Sequence, residues 1–212
     1  MIERDICQHL DSTFELLLQK IDSPELQTSL RDKAYFAGGC IYCLRNNTAV
    51  KDYDIFLRDE GLIDSLKALT IWSFVSDYAL TCGKFQIVTK YFGEPDDCVG
   101  QFDFKHNMHY YIPGTQKIEC AYTDELLDEN PFDDDPLERP DFEDFKYLQT
   151  NELFFNEKRA RDIEGVMLRV KKFTDRGMTI SKETKRKIKK RTTRKKVKQY
   201  KKSRHSSGRN YY

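Results

Sequence analysis

A chain of 212 residues, 39% hydrophobic and 33% charged, is long enough to build one core and too polar for a membrane body. No run approaches the roughly 18 to 20 apolar residues a bilayer span needs, and the opening MIERDICQHL reads as lacking a signal peptide, so cytoplasm, its own or a host's, is the expected location. The net charge of +1 hides a division: from Lys182 onward 15 Lys and Arg face one acid, Glu183, whereas the first 181 residues carry 21 bases against 34 acids.

Residues 4 to 21 place Ile6, Leu10, Phe14, Leu17, Leu18 and Ile21 on one helical stripe. Ser23-Pro24 reads as an N-cap followed by proline at the first helical position, opening a short helix to about Lys33. AYFAG is a short strand ending at Gly38-Gly39, and CIYCLRN a helical segment closed at Asn46-Asn47. KDYDIFLR is a strand with Tyr53, Ile55 and Leu57 on one face and Asp52, Asp54 and Phe56 on the other. EGLIDSLKALTIWSFVSDYAL reads as a long buried helix, followed by the strand KFQIVTKYF. Pro95 opens a short acidic helix, and DFKHNMHYYI, a Pro113-Gly114 turn and QKIECAY form a hairpin. Residues 124–145 are acidic and proline-broken. Asn156 to Arg176 is expected to be an amphipathic helix with Ile163, Val166, Met167, Val170 and Phe173 inward, and Arg161, Arg169, Lys172 and Arg176 on the other side. The sum is an α+β fold, a small mixed sheet with flanking helices over residues 1–180, with a disordered or partly helical basic tail at 181–212.

Asp52 and Asp54 point to one side of a strand, roughly 6 to 7 Å apart. Two acids beside Phe56 repel one another and lose hydration, a cost that a hard divalent cation such as Mg²⁺ offsets while leaving room for phosphate oxygens. Gly38-Gly39 stands at a strand-to-helix transition, where the backbone can approach a ligand and helix N–H groups face an anion. Either feature alone is ordinary, a solvated strand edge and a turn. In the order strand, GG, helix, strand with DxD, they describe a nucleoside triphosphate site.

AGGC followed by DYDIF resembles the signature of the nucleotidyltransferase superfamily that includes DNA polymerase β, poly(A) polymerases and CCA-adding enzymes. FQIVTKYFGEP, GQFDF and RVKKFTDRGMTI are more loosely similar to small nucleotidyltransferase-like proteins of tailed bacteriophages. The superfamily resemblance implies a third carboxylate on a later strand, for which Asp103 is the first choice and Glu119 the second. It further implies that Asp52, Asp54 and Asp103 hold two Mg²⁺ (or Mn²⁺) ions about 3.5 to 4 Å apart. Gly38, Gly39 and the N–H of Cys40 would hold the triphosphate, with Arg45 near a phosphate or on the helix exterior. A nucleoside monophosphate would pass from NTP to an acceptor hydroxyl on RNA, tRNA or protein. The alternative is an inactive scaffold that binds nucleic acid through its tail.

Cys7, Cys40, Cys43, Cys82, Cys98 and Cys120 read as reduced thiols. Cys40-x-x-Cys43 lacks a second pair for zinc, and His106 and His109, three apart on a strand, would face opposite sides. His106 has two other readings, proton transfer beside Asp103 or a partly buried hydrogen-bonding residue. The tail has too little to bury for a core, and its Lys189, Lys190, Arg191, Arg194, Lys195 and Lys196 suit phosphate, with Arg161, Arg169, Lys172 and Arg176 extending that surface. Folding back onto the acidic segment is the other reading of the tail.

Overall fold

A computed structural model describes residues 1–122, 141–158 and 165–190. Helix α1 (Glu3–Leu18) buries Ile6, Leu10, Phe14, Leu17 and Leu18 on the stripe its spacing dictates. Helix α2 (Pro24–Lys33) starts where Ser23 Oγ accepts the Leu26 N–H at 3.2 Å, a cap worth about 1 kcal/mol. Strand β1 (Ala34–Ala37) is buried along its whole length. The Phe14 ring of α1 meets Phe36 edge to face, which fixes the helix against the sheet.

Beyond β1 come α3 (Gly39–Arg45), β2 (Tyr53–Leu57), α4 (Ile63–Lys67), β3 (Phe74–Val75), β4 (Ala79–Cys82), β5 (Phe85–Phe92), α5 (Pro95–Val99), β6 (His109–Tyr111) and β7 (Ile118–Cys120). The seven strands form one sheet in the order β3-β4-β5-β2-β1-β6-β7. Only β2 and β5 run parallel, and every other neighbouring pair is antiparallel. The sheet is therefore mixed, and the strands carrying the glycine turn and the Asp-x-Asp, β1 and β2, lie side by side near its middle.

Three expected elements differ. The long helix after Glu60 is the five-residue α4, a turn, and the β3–β4 hairpin. An apolar run suits either period, and Ile71, Trp72, Phe74 and Val75 favour a pleated surface while Ser76 closes a turn by accepting the N–H groups of Tyr78 and Ala79. The strand expected from Asp103 begins only at His109. Asp103 lies in a bend, Phe104 bridges to Phe155, and Lys105–Asn107 make one 3₁₀ turn.

The helix expected from Asn156 has its described part at α6 (Val166–Thr174). Asn156 is instead buried and pinned: its side chain donates to Gly100 O at 2.7 Å and Phe102 O at 3.0 Å, and its N–H to Asp103 O at 2.8 Å. Within α6, Val166 and Val170 are buried, but Met167, assigned to the inward stripe, is 58% exposed. Arg161 and Ile163 lie outside the described residues, as do residues 123–140 of the acidic segment.

A second core joins Phe104, Leu153, Phe155, Val166, Val170, Met178 and Ile188. Ile188 sits on a helix over 182–190, so the start of the basic segment packs with the body. Residues 191–212, with Arg191, Arg194, Lys195 and Lys196, lie outside the described residues. No described helix is long and apolar enough to cross a membrane.

Candidate nucleotide site

The site is built where β1 turns into α3 beside β2. Gly38 caps α3 with φ +87° and ψ −145°, a conformation that side chains resist. A Cβ on Gly38 would stand 3.6 Å from Asp54 Oδ2 and 3.7 Å from the Phe102 ring, which places the turn against that carboxylate. The Gly38 N–H is donated to His109 O at 3.3 Å. The backbone clasp therefore begins at Gly39 and Cys40, whose N–H groups lie in the first turn of a helix and have no intrahelical acceptor.

Asp54 shares its strand face with Phe56, which stacks on Tyr35 and meets Phe102 at 5.6 Å. Burial first, then the charge of Asp52, push the Asp54 carboxyl up to about 6, while Lys172 of α6 pulls it down. Asp52 stands half-buried just before β2. Cys40 is buried, its Sγ directed at Ala37 O, and burial followed by the Asp54 charge raise its thiol far above the usual range. Such a thiol stays protonated near neutrality and is a poor nucleophile.

Asp103 is buried, 7% exposed, and is ion-paired with Arg169 of α6. Arg169 and Lys172, three residues apart, share one face of that helix. The stripe read as a nucleic-acid surface thus turns two of its cations toward the acids. Arg176 lies beyond the helix end and is exposed, as are Lys189 and Lys190 on the last described helix.

Arg45 is directed elsewhere. It donates to Met1 O at 2.9 Å and to the Glu143 carboxylate at 2.7 Å, and its guanidinium lies over Phe142. Six residues of α3 separate it from the turn, about 9 Å along the axis. Glu119 lies on β7, three strands from β2 and hence about 14 Å across the sheet, too far to join Asp54.

His106 is boxed by Tyr42, Phe104 and Phe173, with both ring nitrogens buried and lacking a hydrogen-bond partner among the described residues. Burial drives it down to about 3, so the ring is uncharged near neutrality. Sequence reading missed Phe102 and Asn107, whose buried Oδ1 lies 3.7 Å from where a Gly39 Cβ would be. Nothing in QFDFKHN announces a 3₁₀ turn packed under a glycine pair.

Among the described residues no three His, Cys, Asp or Glu side chains gather as a metal-binding group. Asp52 and Asp54 fit a divalent cation: they are two hard oxygen donors, mutually repelling, beside a turn with no side chain. Asp103, held by Arg169, does not join them in this arrangement.

The architecture has solved counterparts. Bacillus stearothermophilus CCA-adding enzyme in complex with CTP is similar over 82% of this chain and 42% of that one, with a TM-score of 0.55 and 14% identity. A CCA-adding enzyme complexed with ATP is similar over 87% and 46%, TM-score 0.52, 14% identity, and an apo form over 87% and 46%, TM-score 0.50, 15% identity. The chain spans under half the length of these proteins, and at such identity the likeness is one of fold. No protein of curated function matches the chain. The fold is that of the nucleotidyltransferases. The sequence model described as Gabija anti-defense 2 family protein matches residues 8–130, and the chain belongs to that family.

Proposed function

We propose that this protein is a nucleotidyltransferase: it moves a nucleoside monophosphate from NTP to an acceptor hydroxyl and releases pyrophosphate. The observation that carries the reading is the Gly38 turn set 3.6 Å from Asp54 Oδ2, with Asp52 acting on the same carboxylate. Asp52 and Asp54 would hold Mg²⁺ (or Mn²⁺), which when bound supplies positive charge at the phosphates. The Gly39 and Cys40 N–H groups face the triphosphate oxygens, and Lys172 adds a mobile cation. The acceptor is a hydroxyl of RNA, tRNA in particular, or of a protein, held by the basic segment; taking the family description at its word, we assign it to the Gabija defence in the host cytoplasm. Incubation with each labelled NTP, Mg²⁺ and extracts of cells carrying that defence should give a labelled product. Asp52→Asn and Asp54→Asn should abolish it with the fold retained, and equal labelling by those variants would refute the reading.

The pairing of Asp103 with Arg169 favours a second reading, a nucleic-acid-binding module without turnover. It expects binding that vanishes when residues 191–212 are removed and no labelled product with any NTP.

A further inference from the structure

Cross-strand register carries the candidate site sideways across the sheet. Asp54 of β2 pairs with Gln86 of β5, Gln86 with Thr81 of β4, and Thr81 with Phe74 of β3. Residues in register point to one side of a sheet, so these four make a row on the face of Asp54. On the other face of β4 and β5, Leu80 and Ile87 are fully buried in the core. Along the row Gln86 and Thr81 are half-buried, and Phe74, at the sheet edge, is 63% exposed. Three strand spacings, about 14 Å, separate it from Asp54.

Core packing does not account for that ring. Tyr78 in the adjoining turn and Tyr91 on β5 are exposed too, and Lys90 Nζ stands 3.9 Å over the Tyr78 ring. From Ile71 to Phe92 the chain has one acid, Asp77, against Lys84 and Lys90, in a body otherwise dominated by acids. Exposed aromatic faces beside a lysine suit a single strand of nucleic acid: stacking accepts any base, and the cation accompanies the backbone. A protein surface could cover the same rings but has no use for a polar row leading to Asp54. The glycine turn lies on the far side of Asp54, on β1, so a triphosphate held there leaves the row to a second substrate.

We propose that the β3–β4 hairpin and the row behind it form the acceptor track: a single strand of nucleic acid stacks a base on Phe74, and its terminal nucleotide crosses Thr81 and Gln86 to bring a hydroxyl to Asp54. This rests on the nucleotidyltransferase reading of Asp52 and Asp54 and narrows the acceptor from RNA or protein to nucleic acid. The hydroxyl oxygen bonds to the α-phosphorus of the NTP as the bond to pyrophosphate breaks, and its proton passes to water.

The test uses the full chain and a short oligouridylate carrying 4-thiouridine beside its 3′ end, at about 0.3 M salt, where counterion release favours the basic segment least. Irradiation should attach the probe within residues 72–91. Phe74→Ala and Tyr78→Ala should each bind it about tenfold more weakly with the parent's melting temperature, and Phe74→Trp should bind it as the parent does. With labelled NTP, Phe74→Ala should raise the KM for the oligonucleotide about tenfold and leave kcat unchanged. Adducts confined to residues 182–212, or parental affinity in both alanine variants, would overturn the track while transfer of label leaves the nucleotidyltransferase standing. So would label arriving on protein at the parental rate in Phe74→Ala. Hairpin adducts with no transfer from any NTP would remove the nucleotidyltransferase reading, and the acceptor role with it.

Discussion

Asp54 Oδ2 lies 3.6 Å from the point where a side chain on Gly38 would begin, whereas Gly39, the next residue, looks toward Asn107 Oδ1 at 3.7 Å. Both distances are ordinary van der Waals contact. The two glycines therefore differ in backbone conformation: Gly38 is held at φ +87° and Gly39 opens a helix.

Gly38→Ala should lower stability by about 1 to 2 kcal/mol through its positive φ. Gly39→Ala should leave the melting temperature within a degree or two and yet weaken NTP binding, because the methyl group stands against Asn107 Oδ1 at the start of α3. Thermal unfolding beside nucleotide titration separates these outcomes. Undiminished NTP affinity in Gly39→Ala would mean that the turn serves the fold alone.

Asp54→Asn tests the charge of that residue through pH. The parent carboxyl sits near 6 in the fold against an ordinary value of 3.8, so the folded state binds more protons between those limits and stability falls as pH rises through them. Above pH 6 the ionised group costs on the order of 2 to 3 kcal/mol. The variant should be more stable than the parent by up to that amount at pH 7.5, and the two should converge below about pH 4. Metal-dependent NTP binding by the parent should rise through about pH 6 as the carboxylate forms. Denaturant melts across pH would expose a mistaken sign at once.

How much of this was legible beforehand follows from which features are local. Ser23-Pro24 and its helix, the Gly38-Gly39 turn and the strand with Asp52 and Asp54 were readable because capping, positive φ and alternation leave their mark within a few residues. The segment from Leu62 to Leu80 was not, since its apolar run fits helix and strand alike and tertiary pairing with β5 decides it. Asp103 could be named from its aromatic neighbours, but its pairing with Arg169, 66 residues away, has no local trace. Asn156 likewise ends a helical pattern by hydrogen bonds to Gly100 and Phe102 that no window of sequence contains.

His106 and His109 should make the protein acid-sensitive. Burial holds both near 3, below the usual 6.5, so the unfolded chain takes up protons that the fold refuses, and stability is lost as pH falls below 6.5. Each contributes about 1.4 kcal/mol per pH unit in that window, together outweighing the opposite contribution of Asp54. His106→Phe, which suits the aromatic box of Tyr42, Phe104 and Phe173, should remove most of the decline between pH 6 and 4, because the remaining histidine and Asp54 then nearly cancel. A parent whose stability is level from pH 7 to 5 would contradict the neutral buried state.

The basic segment should divide at residue 190. Ile188 is 1% exposed in the core with Val166, Val170 and Phe104, so removing residues 182–212 uncovers apolar surface beneath α6 and should destabilise the body. Ile188→Ala alone should cost about 2 to 4 kcal/mol. Removing only 191–212 takes away nine Lys and Arg and keeps Ile188 in the chain, and should leave the melting temperature unchanged. If this stretch binds RNA, the logarithm of the parent's binding constant should fall with the logarithm of salt concentration at roughly 0.7 per neutralised phosphate, up to about 6 in all. The shortened chain should lose most of that slope and the affinity with it. A truncated protein that keeps the parent's salt slope would put the phosphate contacts on Arg176, Lys189 and Lys190 of the described body instead.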